Sequence, residues 1–201
     1  MRLYHQPRSR STRVLWLAEE AGAPVDVVVI AREEKSTDEY RKMHPMGRSP
    51  AYVEDGGPVF ESAALCLHLA DRHPEAGLIA EPGSHERALQ YQWCFFAMTE
   101  LEAPLIDAAR QVWKDSGEPD TDIVAAAFGR FEKGAGVVAD ALAGDDFLVS
   151  NRFSVADIVV GGVLTFARMS ELVPDLPPGI APYVDGLEAR PARQRAYTRT
   201  A

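Results

Sequence analysis

Cysteine is nearly absent from this chain: Cys66 and Cys94 are the only two in 201 residues, too few for a disulfide framework. An excess of positive charge is missing as well. Against 30 acidic side chains stand 21 basic ones, a formal net charge of −9, which argues against a nucleic-acid binder held by bulk attraction to phosphate. No apolar run reaches the ~20 residues that span a bilayer, and the opening residues MRLYHQPRSRS lack the apolar stretch of a secretory signal. Low-complexity tracts, charge blocks and short internal repeats are absent too. The five histidines show no helical metal-pair spacing with a carboxylate partner, so no metal is expected. What remains is 46% hydrophobic and 25% charged, the composition of a globular protein with a real core. The expectation is a cytoplasmic protein that binds neither nucleic acid nor membrane.

The chain changes character near Pro82-Gly83. Before it, short β-branched runs alternate with helical periods. Leu3-Tyr4-His5 reads as a strand, and Val14, Leu17, Ala18 and Ala21 recur at i, i+3, i+4 and i+7, one buried helix face that Gly22 closes. Val25 to Ile30 reads as a strand buried on both faces. Ser36 and Glu39 have capping-box spacing for a second helix that Pro45 ends. Asp55-Gly56-Gly57 is a hairpin turn between Ala51–Glu54 and Pro58–Phe60. A third helix runs from about Ser62 to Pro74. After Gly83 the alternation stops. Leu89, Trp93, Phe96, Ala97 and Leu101 keep a helical period, Ile123 to Leu142 and Val155 to Met169 continue it, and a last short helix is expected near Tyr183 to Ala189. Pro174, Pro177, Pro178 and Pro182 mark the connection before it.

Three strings, LYHQPRSRSTRVLWLAEEAG, HPMGRSPAYVEDGGPVFESAALCLHLADRHP and FSVADIVVGGVL, resemble the successive signatures of cytosolic glutathione transferases of bacterial, serine type, in order and across essentially the whole chain. The resemblance implies an α/β thioredoxin-like glutathione-binding domain, β-α-β-α-β-β-α, over residues 1–77. It implies an all-α helical bundle over 84–201 that shapes a pocket for a small apolar electrophile. It also implies glutathione as co-substrate and a homodimer.

The residues can carry that chemistry. Thiol attack needs the thiolate, and a helix N-terminus with a hydroxyl or guanidinium donor favours the negative form. Lowering a thiol pKa by ~2 units takes roughly 2.7 kcal/mol, within reach of a charge-assisted hydrogen bond plus the helix terminus. At the end of the first strand and the start of the first helix stand Tyr4, Ser9, Arg10 and Ser11. By resemblance Ser9 matches the catalytic serine of the serine-type classes, and Arg10 points its fork at the sulfur or the pocket. Tyr4 aligns with the catalytic tyrosine of the tyrosine-type classes but belongs to the strand in serine-type relatives. Ser11 reads first as a helix cap, with a catalytic role as its alternative. No cysteine stands in this loop, which disfavours a mixed-disulfide reductase, and Cys66 and Cys94 read as core filler.

The resemblance assigns the rest of the tripeptide. Pro50 would be cis, with the backbone of Ser49 pairing to the cysteinyl backbone like an added strand. Ser49 departs from the usual valine there, which matters little for a backbone contact. Glu61 would meet the γ-glutamyl ammonium, and Ser62 the carboxylate, at a helix start that serves equally as an N-cap. Arg48 is the first candidate for the glycyl carboxylate, with Lys35 and Arg32 behind it. Ser154 and Asp157 have capping-box spacing and read as structural. Trp93, Phe96, Trp113 and Phe166 read as packing, with an apolar electrophile site as the alternative. Two functional classes stay open: a transferase that conjugates glutathione to apolar electrophiles or reduces peroxides with it, and a non-catalytic binding or regulatory module on the same scaffold.

Overall fold

The structure, a computed structural model, describes residues 1–170, 172, 173 and 176–198. In the first unit, β1 (Arg2–His5) runs parallel to β2 (Asp26–Val29) and antiparallel to β3 (Ala51–Glu54), which pairs antiparallel with β4 (Gly57–Phe60). The order is β2-β1-β3-β4. β2 is therefore an edge strand. Only the flanking Val25 and Ile30 are buried while Asp26 and Val29 are exposed, a correction to the expected strand buried on both faces: β2 lacks a second neighbour. Glu54 pairs with Gly57, leaving Asp55-Gly56 as a two-residue hairpin loop.

Helix α1 (Ser11–Ala21) ends at Gly22, whose left-handed backbone (φ 62°) returns its N–H to Ala18 and Glu19. Every residue of α1 from Ser11 to Ala18 is buried, more than the single apolar face in the sequence. The cause is tertiary: α1 packs against both α3 (Ser62–Arg72) and the terminal helix α9 (Pro191–Thr198). Helix α2 (Asp38–Met43) is capped by Thr37, whose side chain accepts from the Tyr40 N–H. Ser36 instead closes a 3₁₀ turn, so the cap lies one residue beyond the expected position.

Helix α9 was not expected from periodicity, because its outer face is polar and its sequence, PARQRAYT, carries little apolar pattern. It is anchored by ion pairs. Arg190 makes two hydrogen bonds to Glu20 (2.6 and 2.9 Å) and Arg195 one to Glu19, while the Arg193 guanidinium lies over the Tyr197 ring at 4.1 Å. The chain from Glu188 onward thus joins Met1–Ala80 in one compact unit, and Glu81–Leu187 forms the other. By contacts, then, this last stretch groups with the first unit although in sequence it follows the second.

The second unit is helical: α4 (His85–Phe96), α5 (Ala103–Val112), α6 (Thr121–Leu142), α7 (Val155–Met169) and α8 (Ala181–Glu188). A π-turn over Ala97–Glu102 joins α4 to α5 and precedes Pro104. A Cβ on Gly134 of α6 would stand 2.8 Å from the Glu100 carbonyl of that turn, so glycine permits the close approach. Helix α7 is buried from Val155 to Thr165 and forms the core of this unit. Its capping box is present as expected. Asp157 accepts from the Ser154 N–H (2.9 Å), the Leu148 N–H (3.0 Å) and the Tyr183 hydroxyl (3.0 Å), tying the preceding turn and α8 to the start of α7. Pro174 lies outside the described residues.

Candidate active site

Strand directions decide where the chemistry collects. β1 and β4 are each antiparallel to β3 and so point the same way. Helices α1 and α3 follow their C-terminal ends, so both helices begin at the same edge of the sheet. Their positive N-terminal ends meet there, and β3 starts there too, directly after the cis Ser49–Pro50 bond.

Three hydroxyls gather at this edge. Ser9 Oγ lies 2.7 Å from Ser11 Oγ, accepts the Ser11 N–H at 3.2 Å and accepts the Ser49 hydroxyl at 3.1 Å. Ser11 Oγ lies 2.8 Å from Nδ1 of His5 and within 3.2 Å of both the N–H and the carbonyl of Gln6. Ser11 is thus not the cap of its own helix. The N-cap position is Arg10, which makes no side-chain cap, and the Ser11 hydroxyl turns back to the strand end. Ser49, expected to contribute only backbone, contributes a side chain.

Ser62 is the first residue of α3, and the cap position falls to Glu61, which also caps nothing with its side chain. The Ser62 hydroxyl accepts from Nη1 of the buried Arg13 at 3.1 Å, a correction to the N-cap reading. Exposed Glu61 has φ 76° and ψ 111°, a conformation costing of order 1–3 kcal/mol in a non-glycine residue and concentrated at ligand sites.

Tyr4 points elsewhere. Strand alternation sends Leu3 and His5 to the α1 side and Tyr4 to the α2 side, where it packs with Tyr40, Ile30 and Ala51; the Tyr4 and Tyr40 rings meet edge to face at 6.0 Å. Tyr4 is therefore separated from the hydroxyl cluster by the sheet. Arg48 is exposed, and its carbonyl accepts the Tyr40 hydroxyl at 2.8 Å. Lys35 is only half-buried, and its ammonium donates to Gln6 Oε1 on the Ser9 loop. A Cβ on Gly47 would stand 2.6 Å from the Lys35 carbonyl, so Lys35 lies beside both loops of the site. Burial and the neighbouring Arg32 lower its pKa. Arg32 itself is exposed.

Sequence reasoning missed His5 and Arg13 as parts of this edge, and it ranked Lys35 behind Arg48. Arg13 reads as a helix-surface cation until α3 covers it. His5 carries only a weak signal, a strand-end histidine six residues before Ser11. Neither cysteine is a nucleophile: both are buried, and burial pushes the Cys66 thiol up to about 12. No group of three metal-ligating side chains occurs among the described residues. In the second unit Trp93 is buried against Phe96. Trp113 is 54% exposed, edge to face with Phe166 at 6.2 Å, and so is not core packing.

Comparison with known proteins bears on this geometry. Residues 1–71 match the family model for the glutathione S-transferase N-terminal domain, and residues 121–195 that for the glutathione S-transferase C-terminal domain. Glutathione S-transferase 3 of Schizosaccharomyces pombe is 33% identical over 100 residues, 49% of this chain and 41% of that protein. Glutathione S-transferase GstA of Escherichia coli O157:H7 is 27% identical over 98% of both chains. The crystal structure of a glutathione transferase from Methylococcus capsulatus superposes with a TM-score of 0.86 at 26% identity, over 99% of this chain and 98% of that one. Elongation factor 1-gamma of Trypanosoma cruzi is also similar, 32% identical over 79% of this chain but 38% of its own length.

Proposed function

Since the chain belongs to the glutathione S-transferase family, we propose that it binds glutathione at the edge where α1 and α3 begin and conjugates it, through its sulfur, to small apolar electrophiles. The observation that carries this reading is the cluster of Ser9, Ser11 and Ser49 beside the cis Ser49–Pro50 bond. It holds hydroxyl donors at the positive ends of two helices, where a thiolate is stabilised.

Ser9 is the hydroxyl that donates to the sulfur. The Ser49 backbone pairs with the cysteinyl residue of the tripeptide, in the manner of strand addition. Glu61, exposed beside the α3 terminus, meets the γ-amino group, and the α3 N–H groups with Ser62 meet the α-carboxylate. Arg13, donating to Ser62 from below, adds positive charge under that carboxylate. Arg10 extends the positive field at the start of α1. For the glycyl carboxylate, Arg48 and Lys35 flank the Gly47 loop; Lys35 is the better held of the two, since it is half-buried and already bonded to the Ser9 loop. Arg48 is exposed and serves as a longer-range cation.

Attack follows from these placements. A donor fixed on the thiolate lowers its pKa and keeps the nucleophile ionised at neutral pH. The electrophile's leaving group or ring then takes the charge as the carbon–sulfur bond forms. Peroxide reduction by the same thiolate is a second use of one site. The test is retention on immobilised glutathione followed by conjugation of chloro-dinitrobenzene. Retention with turnover supports the transferase. The similarity to elongation factor 1-gamma favours a second reading, a binding module without catalysis, and retention without turnover of either an aryl halide or a hydroperoxide would select it.

A further inference from the structure

His5 lies at the inner end of the hydroxyl cluster and is fully buried, with 0% of its surface exposed. Its Nδ1 is 2.8 Å from Ser11 Oγ, and its Nε2 has no hydrogen-bond partner among the described residues. We propose that His5 is a positioning residue, a neutral imidazole protonated on Nδ1 whose tautomer forces the Ser9 hydroxyl to donate outward to the glutathione sulfur. This rests on the transferase reading and deepens it.

The argument is a count of protons and lone pairs. A buried imidazole N–H without an acceptor is rarer and costlier than a buried nitrogen lone pair without a donor. The single ring proton therefore belongs on Nδ1, where Ser11 Oγ accepts it. Ser11 Oγ also accepts the Gln6 N–H at 3.2 Å, which fills its two lone pairs. Its own proton then has two acceptors in reach, Ser9 Oγ at 2.7 Å and the Gln6 carbonyl at 3.2 Å, and the shorter contact goes to Ser9. Ser9 Oγ then faces three donors for its two lone pairs, the Ser11 hydroxyl, the Ser49 hydroxyl at 3.1 Å and the Ser11 N–H at 3.2 Å, so the two longer contacts share one lone pair. With its lone pairs engaged, Ser11 saturated and Ser49 oriented as a donor, the Ser9 proton turns to the open side.

The other tautomer reverses the chain. With the proton on Nε2, Nδ1 becomes an acceptor and takes the Ser11 proton. Ser11 Oγ then has a lone pair free toward Ser9, and Ser9 spends its proton inward. The same side chains in the same places would present a lone pair to the thiolate and raise its pKa. Burial supports the neutral imidazole, lowering the His5 pKa to about 4, and protonation at Nε2 would leave Nδ1 a donor, so only the tautomer sets the polarity of the chain. No proton leaves His5 in this scheme. It fixes direction.

Two measurements test the proposal. Long-range proton–nitrogen NMR on the ligand-free protein reads the tautomer: a proton on Nδ1 is expected, and a proton on Nε2 overturns the proposal. The ultraviolet absorbance of bound glutathione against pH reads the thiolate. His5→Phe, which keeps bulk and removes the donor, and Ser11→Ala, which cuts the chain at an independent point, are each expected to raise the bound thiol's pKa by about one unit, a roughly three- to tenfold loss of thiolate and of kcat at neutral pH, with KM for glutathione unchanged within about three-fold. The double variant is expected to lose no more than either alone, because both break one series connection. A titration that moves with Ser9→Ala but not with His5→Phe or Ser11→Ala overturns the relay and leaves the transferase standing. Failure of the wild type to bind glutathione overturns the transferase reading, and the sulfur as the relay's target with it.

Discussion

Ser9 and Tyr4 stand five residues apart in the chain and on different sides of the sheet. The alternation of β1 sends Tyr4 into the Tyr40 and Ile30 cluster, while the loop after the strand brings Ser9 to Ser49. Ser9→Ala is therefore expected to lower conjugation at neutral pH by about 10- to 1000-fold, the loss of one preorganised donor to a developing or resident anion. Glutathione should still bind within a few-fold, and activity should recover in part as pH rises. Tyr4→Phe should leave the thiolate titration unmoved; a shift with Tyr4→Phe alone would make the enzyme tyrosine-type. A second prediction concerns stability. His5 titrates near 6.5 when unfolded and about 4 in the fold, and burial also lowers His44. Between those values the unfolded chain binds more protons, so stability rises with pH there and is lost on acidification through the window. Chemical denaturation at pH 7 and pH 5 should show wild type losing more than His5→Asn, by on the order of 1 kcal/mol after solvent screening.

At the scale of elements, the start of α7 carries the most concentrated polar burial of the second unit. Asp157 satisfies donors from Leu148, Ser154 and Tyr183 in one carboxylate. Burial holds its pKa above the usual carboxylate value, against the pull of those hydrogen bonds. Asp157→Ala removes the cap and strands buried donors, so a loss of about 2–4 kcal/mol is expected, more than a cap alone provides. Urea denaturation measures it. Glutathione affinity in the folded fraction should be nearly unchanged, and the opposite pattern would mark Asp157 as a site residue. The capping box was legible because Ser154 and Asp157 are three residues apart, a spacing that means the same thing in any helix. The donors from Leu148 and Tyr183 were not legible, since nothing local relates position 157 to 183. Helix α9 was illegible for a related reason: its anchors, Glu19 and Glu20, lie at the other end of the sequence.

At the scale of the whole molecule, membership in the family leads to a homodimer as the expected assembly. Phe95, Tyr91 and Met46 are large apolar side chains left exposed, and a symmetric partner is the expected cover for surface of this kind. Sedimentation at micromolar concentration should give twice the 22.0 kDa chain mass; a mass near one chain would contradict the dimer. By itself the sequence determined the order of elements from β1 to α3, the hairpin, the helix ends at Gly22 and Ser154, and the short motifs around Ser9, Pro50 and Ser62. These are set by periodicity, capping and turn chemistry, which act within a few residues. Only the tertiary structure decided which hydroxyls meet. Ser9 and Ser49 touch because β1 and β3 are neighbours, Arg13 reaches Ser62 because α1 packs on α3, and His5 points at Ser11 because the chain reverses between strand and helix. The first two pairings depend on how strands order and helices pack, and that order comes from burying the whole core at once rather than from any local stretch of chain.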